Sequence, residues 1–335
     1  MRLSEGQRSV TTSDLVGPSP GGLSTTDPLT IRTVRAVFDL RPVEWAETLA
    51  VLQSVSLADV QSDVRARVVD VEGTLVTLDF PALDRETSAE QLLAVCVAGE
   101  WADRGDFESC RLVSVEWPDG FLGPAFGAVE GVAVGAILKP ALGLTPVEAG
   151  RTAARLVKLG ATLVKDDELQ RSSSERVRAV RAAIPDDVLY AANVTGVDAE
   201  AIAAAGANAL MVNAFVEGLG SIARLRALGL PVFVHRVGSA FMRRSNRVSV
   251  SARVLAELTR LLGADYVQVG SFSPRMFDTD DEVREQIAAC HDDLVGIGRS
   301  TAVIGGGVGP ANADETLERA GVRDGLMLLY GSAAY

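Results

Sequence analysis

The sequence predicts an α/β chain in which a (β/α)₈ (TIM) barrel follows a ferredoxin-like α+β domain. Three observations carry this. Eight short apolar runs between residues 132 and 330 alternate with helical stretches, the pattern of a parallel sheet connected by crossover helices. Polar residues stand where those runs end, the position of reactive groups in a barrel. Ahead of them, the region up to residue 122 reads strand, helix, strand, strand, helix, strand.

Residues 1–30, rich in Ser, Thr, Gly and Pro, read as a flexible arm. Residues 31–122 form the expected first domain and 123–335 the barrel. In the first domain residues 33–40 alternate like a strand, and 43–55 are helical with Trp45, Leu49 and Leu52 on one face. Residues 66–71 and 74–80 pair as a hairpin about Glu72-Gly73. A second helix is expected over 88–98 and a last strand over 110–117; Trp101, after that helix, reads as core packing or as a substrate contact.

The barrel opens with an apolar run, 132–138, that breaks at Lys139-Pro140. Thr145-Pro146 is an N-cap and first turn, Leu156, Val157 and Leu159 fall on one face, and Gly160 ends the helix. Thr162, Leu163 and Val164 lead into Lys165-Asp166-Asp167-Glu168, completing a βαβ unit. Six more strands are expected at 188–193, 209–213, 232–236, 266–270, 302–305 and 326–330. The helices between them fall at 173–183, 198–204, 220–227, 251–262, 282–293 and 313–320. The chain ends at Tyr335, so the eighth barrel helix is expected to be missing. That leaves an apolar groove outside strands one and eight, to be filled by the arm, a second subunit or a further segment.

Apolar residues at 47% and charged residues at 23% in 335 positions fit a soluble globular protein with a substantial core. A net charge of −12 argues against nucleic acid or an anionic membrane as partner. Cys96, Cys110 and Cys290 have no metal-ligand spacing and read as reduced thiols. No apolar run is long enough to span a membrane, and the N-terminus lacks a signal-peptide core, so a cytoplasmic location is expected.

Lys165-Asp166-Asp167-Glu168 has two readings. It is either a surface turn with ion pairs, or a hard-cation site whose carboxylates suit Mg²⁺. A lysine repels a cation unless its amine becomes an anion. The pair of motifs, Lys139-Pro140-Ala141-Leu142-Gly143-Leu144 and Lys165-Asp166-Asp167-Glu168, resembles the large subunit of ribulose bisphosphate carboxylase (RuBisCO) and its RuBisCO-like relatives; the likeness runs from about Thr33 to Ser332. The resemblance implies that CO₂ carbamylates Lys165 and that the carbamate binds Mg²⁺ together with Asp167 and Glu168, Asp166 not being a ligand. It implies proton transfer by Lys139 at enediol carbons. It also implies a homodimer or larger homo-oligomer whose N-terminal domain caps a neighbour's barrel.

The other strand ends follow the same comparison. His235-Arg236 matches the family's histidine-arginine pair. His235 reads either as a satisfied structural histidine or as a proton shuttle or hydroxyl ligand, and Arg236 as a fork for phosphate or carboxylate. Asn193 and Gln268 end strands three and six and are expected to bind substrate. Arg275 stands at the position of the carboxylases' mobile lysine, as an anion contact or a solvated loop residue. Gly305-Gly306-Gly307 and Gly331 follow strands seven and eight, as a phosphate cradle or as turn glycines. Ala141, Gln268, Gly305 and Arg275 depart from the carboxylases, and Ser239 replaces a family histidine.

The expectation is therefore a RuBisCO-like, Mg²⁺-dependent enzyme. It would remove a proton beside a carbonyl of a small, anionic, phosphorylated sugar or sugar acid, with enolisation, isomerisation or decarboxylation as outcome. A true carboxylase with altered loops and a non-catalytic binding barrel are the alternatives.

Overall fold

The computed structural model describes residues 32–52, 65–82 and 107–335. The arm, the expected helix over 88–98, Trp101 and Cys96 lie outside the described residues.

Strand β1 (Arg32–Arg41) alternates as its sequence requires: Val34, Ala36, Phe38 and Leu40 are buried, whereas Arg35 and Asp39 face outward. It pairs antiparallel with β3 (Leu75–Ala82) on one side and β4 (Ser109–Glu116) on the other, and β2 (Arg67–Glu72) forms a hairpin with β3. Phe38 meets Phe80 edge-on across the strands, and on the other face Arg35 forks onto Asp79 at 2.7 and 3.0 Å. Helix Ala46–Leu52 packs on the sheet through Leu49 and Ala50. The strand order β4-β1-β3-β2 is that of a ferredoxin-like sheet. A fifth strand, β10 (Val248–Val250), comes from the barrel segment and runs parallel to β4. Three residues are too few to show a period, so β10 is not visible in the sequence. Nearby, Trp117 Nε1 donates to buried Glu257 at 2.7 Å, a second tie between sheet and barrel.

Eight parallel strands close the barrel: β5 (Val132–Ile137), β6 (Leu163–Lys165), β7 (Leu189–Asn193), β8 (Ala209–Val212), β9 (Val232–Val234), β11 (Tyr266–Gly270), β12 (Thr301–Gly305) and β13 (Leu326–Tyr330). Closure is by β13 on β5, with Leu326 opposite Val132. Inward side chains fill the interior, among them Leu163, Met211, Phe233, Tyr266, Met327 and Leu329. Gly135 makes room for this layer, since a Cβ there would lie 2.7 Å from the Met327 sulfur. Thr145 caps helix Pro146–Lys158 in a reciprocal box with Glu148, as its sequence suggested.

One expectation changes here. Leu159 is 66% exposed, because the helix ends at Lys158 and the chain turns at Gly160 with φ +98°. The groove expected outside β13 is covered, as the reading required, in that Leu326 and Leu328 are buried and belong to the continuous core that includes Leu156 and Leu317. At that edge only Val132 stays exposed. After β13 a 3₁₀ turn, Ser332–Ala334, carries Tyr335 back over β5. The Tyr335 hydroxyl donates to Ile137 O and accepts from Lys139 N, each at 2.8 Å. No helix among the described residues is long and apolar enough to cross a membrane.

Candidate active site

The loop after β6 is built around Asp166. Its carboxylate is fully buried and accepts Arg176 Nε and Ser172 Oγ at 2.7 Å, Tyr190 Oη at 2.8 Å and Asn193 N at 3.1 Å. With both oxygens engaged in this way, Asp166 faces away from the cavity while its neighbours face it. Lys165 lies beneath the cavity floor, fully buried, its Nζ donating to Asp166 O at 2.6 Å and 5.7 Å from the Phe233 ring centre. Burial lowers its pKa to about 8, against the opposing pull of Glu168, Asp167 and Asp166. Burial thus raises the share of the neutral amine, the form in which a lysine is nucleophilic.

Asp167 Oδ2 accepts from Lys139 Nζ at 2.5 Å, and its Oδ1 accepts from Leu169 N at 3.1 Å. Burial pushes the Asp167 carboxyl upward, but these donors and the two lysine charges outweigh it and leave it below the ordinary value. Two asparagines hold the loop from below. Asn193 Nδ2 donates to the carbonyls of Asp167 and Glu168, and Asn213 Nδ2 to that of Glu168 at 3.2 Å. Asn193 Oδ1 takes the N–H and hydroxyl of Thr195. Asn193, expected to bind substrate, is therefore fully buried and engaged with backbone; it positions the carboxylate loop and does not line the cavity.

His235 follows β9. Its Nδ1 accepts from Val237 N at 3.2 Å, which places the proton on Nε2, 3.6 Å from Glu168 Oε2. Burial first, then the charges of Lys165, Arg236 and Lys139, hold it well below the ordinary imidazole value. The other histidine, His291, is also lowered by burial, partly offset by its bond to Gly325 O. The unfolded chain takes up these protons near pH 6.5 and the folded chain does not. Stability is therefore complete above about pH 6.5 and falls as pH drops below it, by at most about 1.4 kcal/mol per pH unit per histidine. Urea unfolding between about pH 7.5 and about pH 5.5 should show this fall, and His291→Asn should flatten it.

Arg236 reaches Asp278 Oδ2 at 2.6 Å, and Arg243 pairs with the other oxygen of the same buried carboxylate. Gly270 lets this happen: with φ +109°, a Cβ there would lie 2.1 Å from Arg236 Nη1.

A cavity of about 830 Å³ at the C-terminal end of the barrel collects Lys139, Asp167, Glu168, His235, Arg236, Gln268 and Arg275 with Gly306, Gly307 and Gly331. Of the expected site residues only Lys165 and Asn193 lie outside its lining, both beneath it. Gly306 and Gly307 have φ of +119° and +76°, and a Cβ on Gly307 would lie 2.9 Å from Ser273 Oγ, so both backbone geometry and space require glycine. Arg244 also lines the cavity, its guanidinium 4.0 Å from the Phe277 ring centre. Sequence reasoning missed Arg243, Arg244 and Asp278. The adjacent arginines were a visible cue in so acidic a chain; nothing marked Asp278.

Among the described residues no three His, Cys, Asp or Glu side chains are grouped to hold a metal ion. For a hard cation, Asp167 and Glu168 would supply two oxygen donors, and a third would have to come from elsewhere. Lys165, buried beside both, fits Mg²⁺ if CO₂ converts its amine to a carbamate.

Such a floor of lysine and carboxylates at the mouth of a (β/α)₈ barrel, beside a ferredoxin-like sheet, defines a RuBisCO-type architecture. Residues 125–332 match the model of the ribulose bisphosphate carboxylase large chain, catalytic domain, and the chain belongs to this family. It is 29% identical over 290 residues to a 3-oxo-isoapionate-4-phosphate decarboxylase from Rhizobium rhizogenes, covering 76% of this chain and 69% of that protein. Against a protein of the same name from Rhizobium etli it is 28% identical over 348 residues, covering 94% and 80%. The fold is that of a rubisco-like protein from Burkholderia fungorum, with TM-score 0.78, 24% identity, and 89% and 88% of the two chains covered. Solved chains of this fold include an octameric RuBisCO from Pyrococcus horikoshii (TM-score 0.79, 23% identity, 90% and 82% covered) and a dimeric one from Hyperthermus butylicus (TM-score 0.74, 23% identity, 89% and 85% covered).

Proposed function

We propose that this RuBisCO-like chain is a Mg²⁺-dependent carboxy-lyase acting on a phosphorylated 3-oxo sugar acid, through the same enolate an enolase or isomerase of this family would form. The observation that carries the reading is convergence. Lys139, Asp167, Glu168 and His235 meet in one cavity with Arg236, Arg275 and the Gly306-Gly307 turn, so a proton donor, hard-cation ligands and anion contacts face one substrate. The names of the relatives, decarboxylases of a 3-oxo sugar-acid phosphate, support that substrate class.

Arg236, Arg275 and the glycine turns hold the phosphate. Asp167, Glu168 and the carbamate on Lys165 would hold Mg²⁺, which when bound supplies the Lewis acid for charge developing on the 3-oxo oxygen. The bond from the α-carbon to the carboxylate breaks, CO₂ leaves, and the electron pair passes into the enolate. Lys139 Nζ, kept at the cavity floor by Asp167, delivers a proton to the α-carbon. Neutral His235 donates its Nε2–H to a substrate oxygen and does not compete for that proton. Gln268 orients the bound substrate by a hydrogen bond at the cavity wall.

The test is CO₂ release from phosphorylated 3-oxo sugar acids, with deuterium entering the α-carbon in D₂O. Absence of both across that substrate class would sink the reading. Ribulose 1,5-bisphosphate should give no CO₂ fixation, because Ala141 and Gln268 stand where the carboxylases use a second lysine and a phosphate-binding histidine. Incorporation of ¹⁴CO₂ into acid-stable product at an enzymatic rate would contradict this.

A second copy of the chain completes the site in this proposal. Leu142, Leu169, Val216, Phe241 and Phe277 sit on the segments after β5, β6, β8, β9 and β11, Val216 and Phe241 in short helices there, all exposed, Phe241 at 90%. A rim of apolar side chains around a polar cavity marks an interaction surface. Sedimentation at micromolar concentration should give at least a dimer, and Phe241→Asp should shift it toward monomer. A monomeric parent protein would refute the interface.

A further inference from the structure

Behind His235-Arg236 lies a second, smaller cavity of about 20 Å³. Arg236, Ser239, Arg243, Thr259, Gln268 and Gln286 form its polar lining, and Val234, Leu255 and Phe215 are among its apolar walls. That is room for about one water molecule or one monatomic ion. The Arg243 side chain is 4% exposed. Its Nη1 pairs with Asp278 Oδ1, but its Nε and Nη2 are buried without a hydrogen-bond partner among the described residues. Arg236 Nη1 and Gln268 Oε1 are in the same condition, as is Asp278 Oδ2, which meets Arg236 Nη2 in the 2.6 Å ion pair. Turning the Gln268 amide by half a turn presents its NH₂ in place of Oε1, an interchange that leaves the side chain's shape unchanged.

Charge decides what such a space holds. Two guanidiniums share one buried carboxylate, Asp278, so the cluster carries one positive charge in excess. The next charge acting on Arg236 is another cation, Arg244. A water molecule would satisfy N–H groups but would leave that charge uncompensated, and an uncompensated buried charge is strongly destabilising. We infer that the inner cavity binds one small monovalent inorganic anion, chloride or its equivalent, held by the unpartnered N–H groups of Arg243 and Arg236. Arg236, Ser239 and Gln268 line this cavity and the reaction cavity alike. The anion therefore braces the Arg236 guanidinium from behind. This site stands on its own geometry, whatever reaction the outer cavity performs.

Bromide is the probe, because it replaces chloride and scatters anomalously. Crystals of the full chain soaked in bromide should show one anomalous peak between Arg236 and Arg243. In solution, the melting temperature should be higher by about 2–4 °C in excess chloride than in gluconate of equal ionic strength. Arg243→Met leaves Arg236 and Asp278 as a neutral pair, and should lose both the peak and the chloride-dependent rise. Water alone in the cavity of bromide-soaked crystals, or equal melting temperatures in the two salts, would overturn the site. A rise that survives in Arg243→Met would overturn it as well. If Arg243→Met does not fold, the bromide map of the unsubstituted protein decides.

Discussion

Lys165→Ala is expected to abolish tight Mg²⁺ binding and to lower turnover by at least about 10³-fold, the scale of losing a metal-held electrostatic stabiliser. Asp167 and Glu168 alone give two side-chain donors, and among the described residues no third acidic or imidazole ligand stands with them. A hard cation held by two carboxylates and water binds weakly. In the parent protein bicarbonate should strengthen Mg²⁺ binding, since CO₂ on the Lys165 amine would create the missing oxygen donor of the proposal; in the variant bicarbonate should have no effect. Isothermal titration with and without bicarbonate reads both. Mg²⁺ affinity that is independent of CO₂ and unchanged by the substitution would remove the carbamate from the proposal. Lys165→Met, closer in length, separates loss of the amine from loss of packing under Phe233.

Asp166→Ala carries the largest expected effect on stability, about 3–5 kcal/mol, because it strands a buried cation. Arg176 has a side chain only 4% exposed and points its Nε at the Asp166 carboxylate. The same substitution takes the acceptor from Ser172 Oγ, Tyr190 Oη and Asn193 N. Asp166→Asn keeps one acceptor oxygen and the shape, so it should cost clearly less. Guanidinium unfolding of the two variants measures the difference, and equal, small losses would show that the network is not what holds the loop. Mg²⁺ binding should weaken in both, since the carbonyls that Asn193 fastens belong to Asp167 and Glu168.

By itself the sequence determined the barrel, the strand ends and the cluster of residues that meet in its cavity. Period-two and period-3.6 patterns are local, and a strand that ends on Lys139, Lys165 or His235-Arg236 must deliver those residues to the same face of a parallel barrel. The ferredoxin-like order was readable for the same reason, from alternation in 33–40 and a hairpin about Gly73. Only the tertiary structure decided what side chains do once there. Asn193 ends its strand like a ligand, yet turns into backbone carbonyls that lie 25 and 26 positions earlier in the chain. Asp278 carries no local signal, because its partners Arg243 and Arg236 lie 35 and 42 positions away. The three-residue β10 forms because β4 offers it an edge; Val248 and Val250 suit a strand, but three residues are too short to signal one. Leu326 and Leu328 are buried where the apolar pattern could mark only an outward face, since burial is set by what packs on a surface and periodicity reports only which surface is apolar.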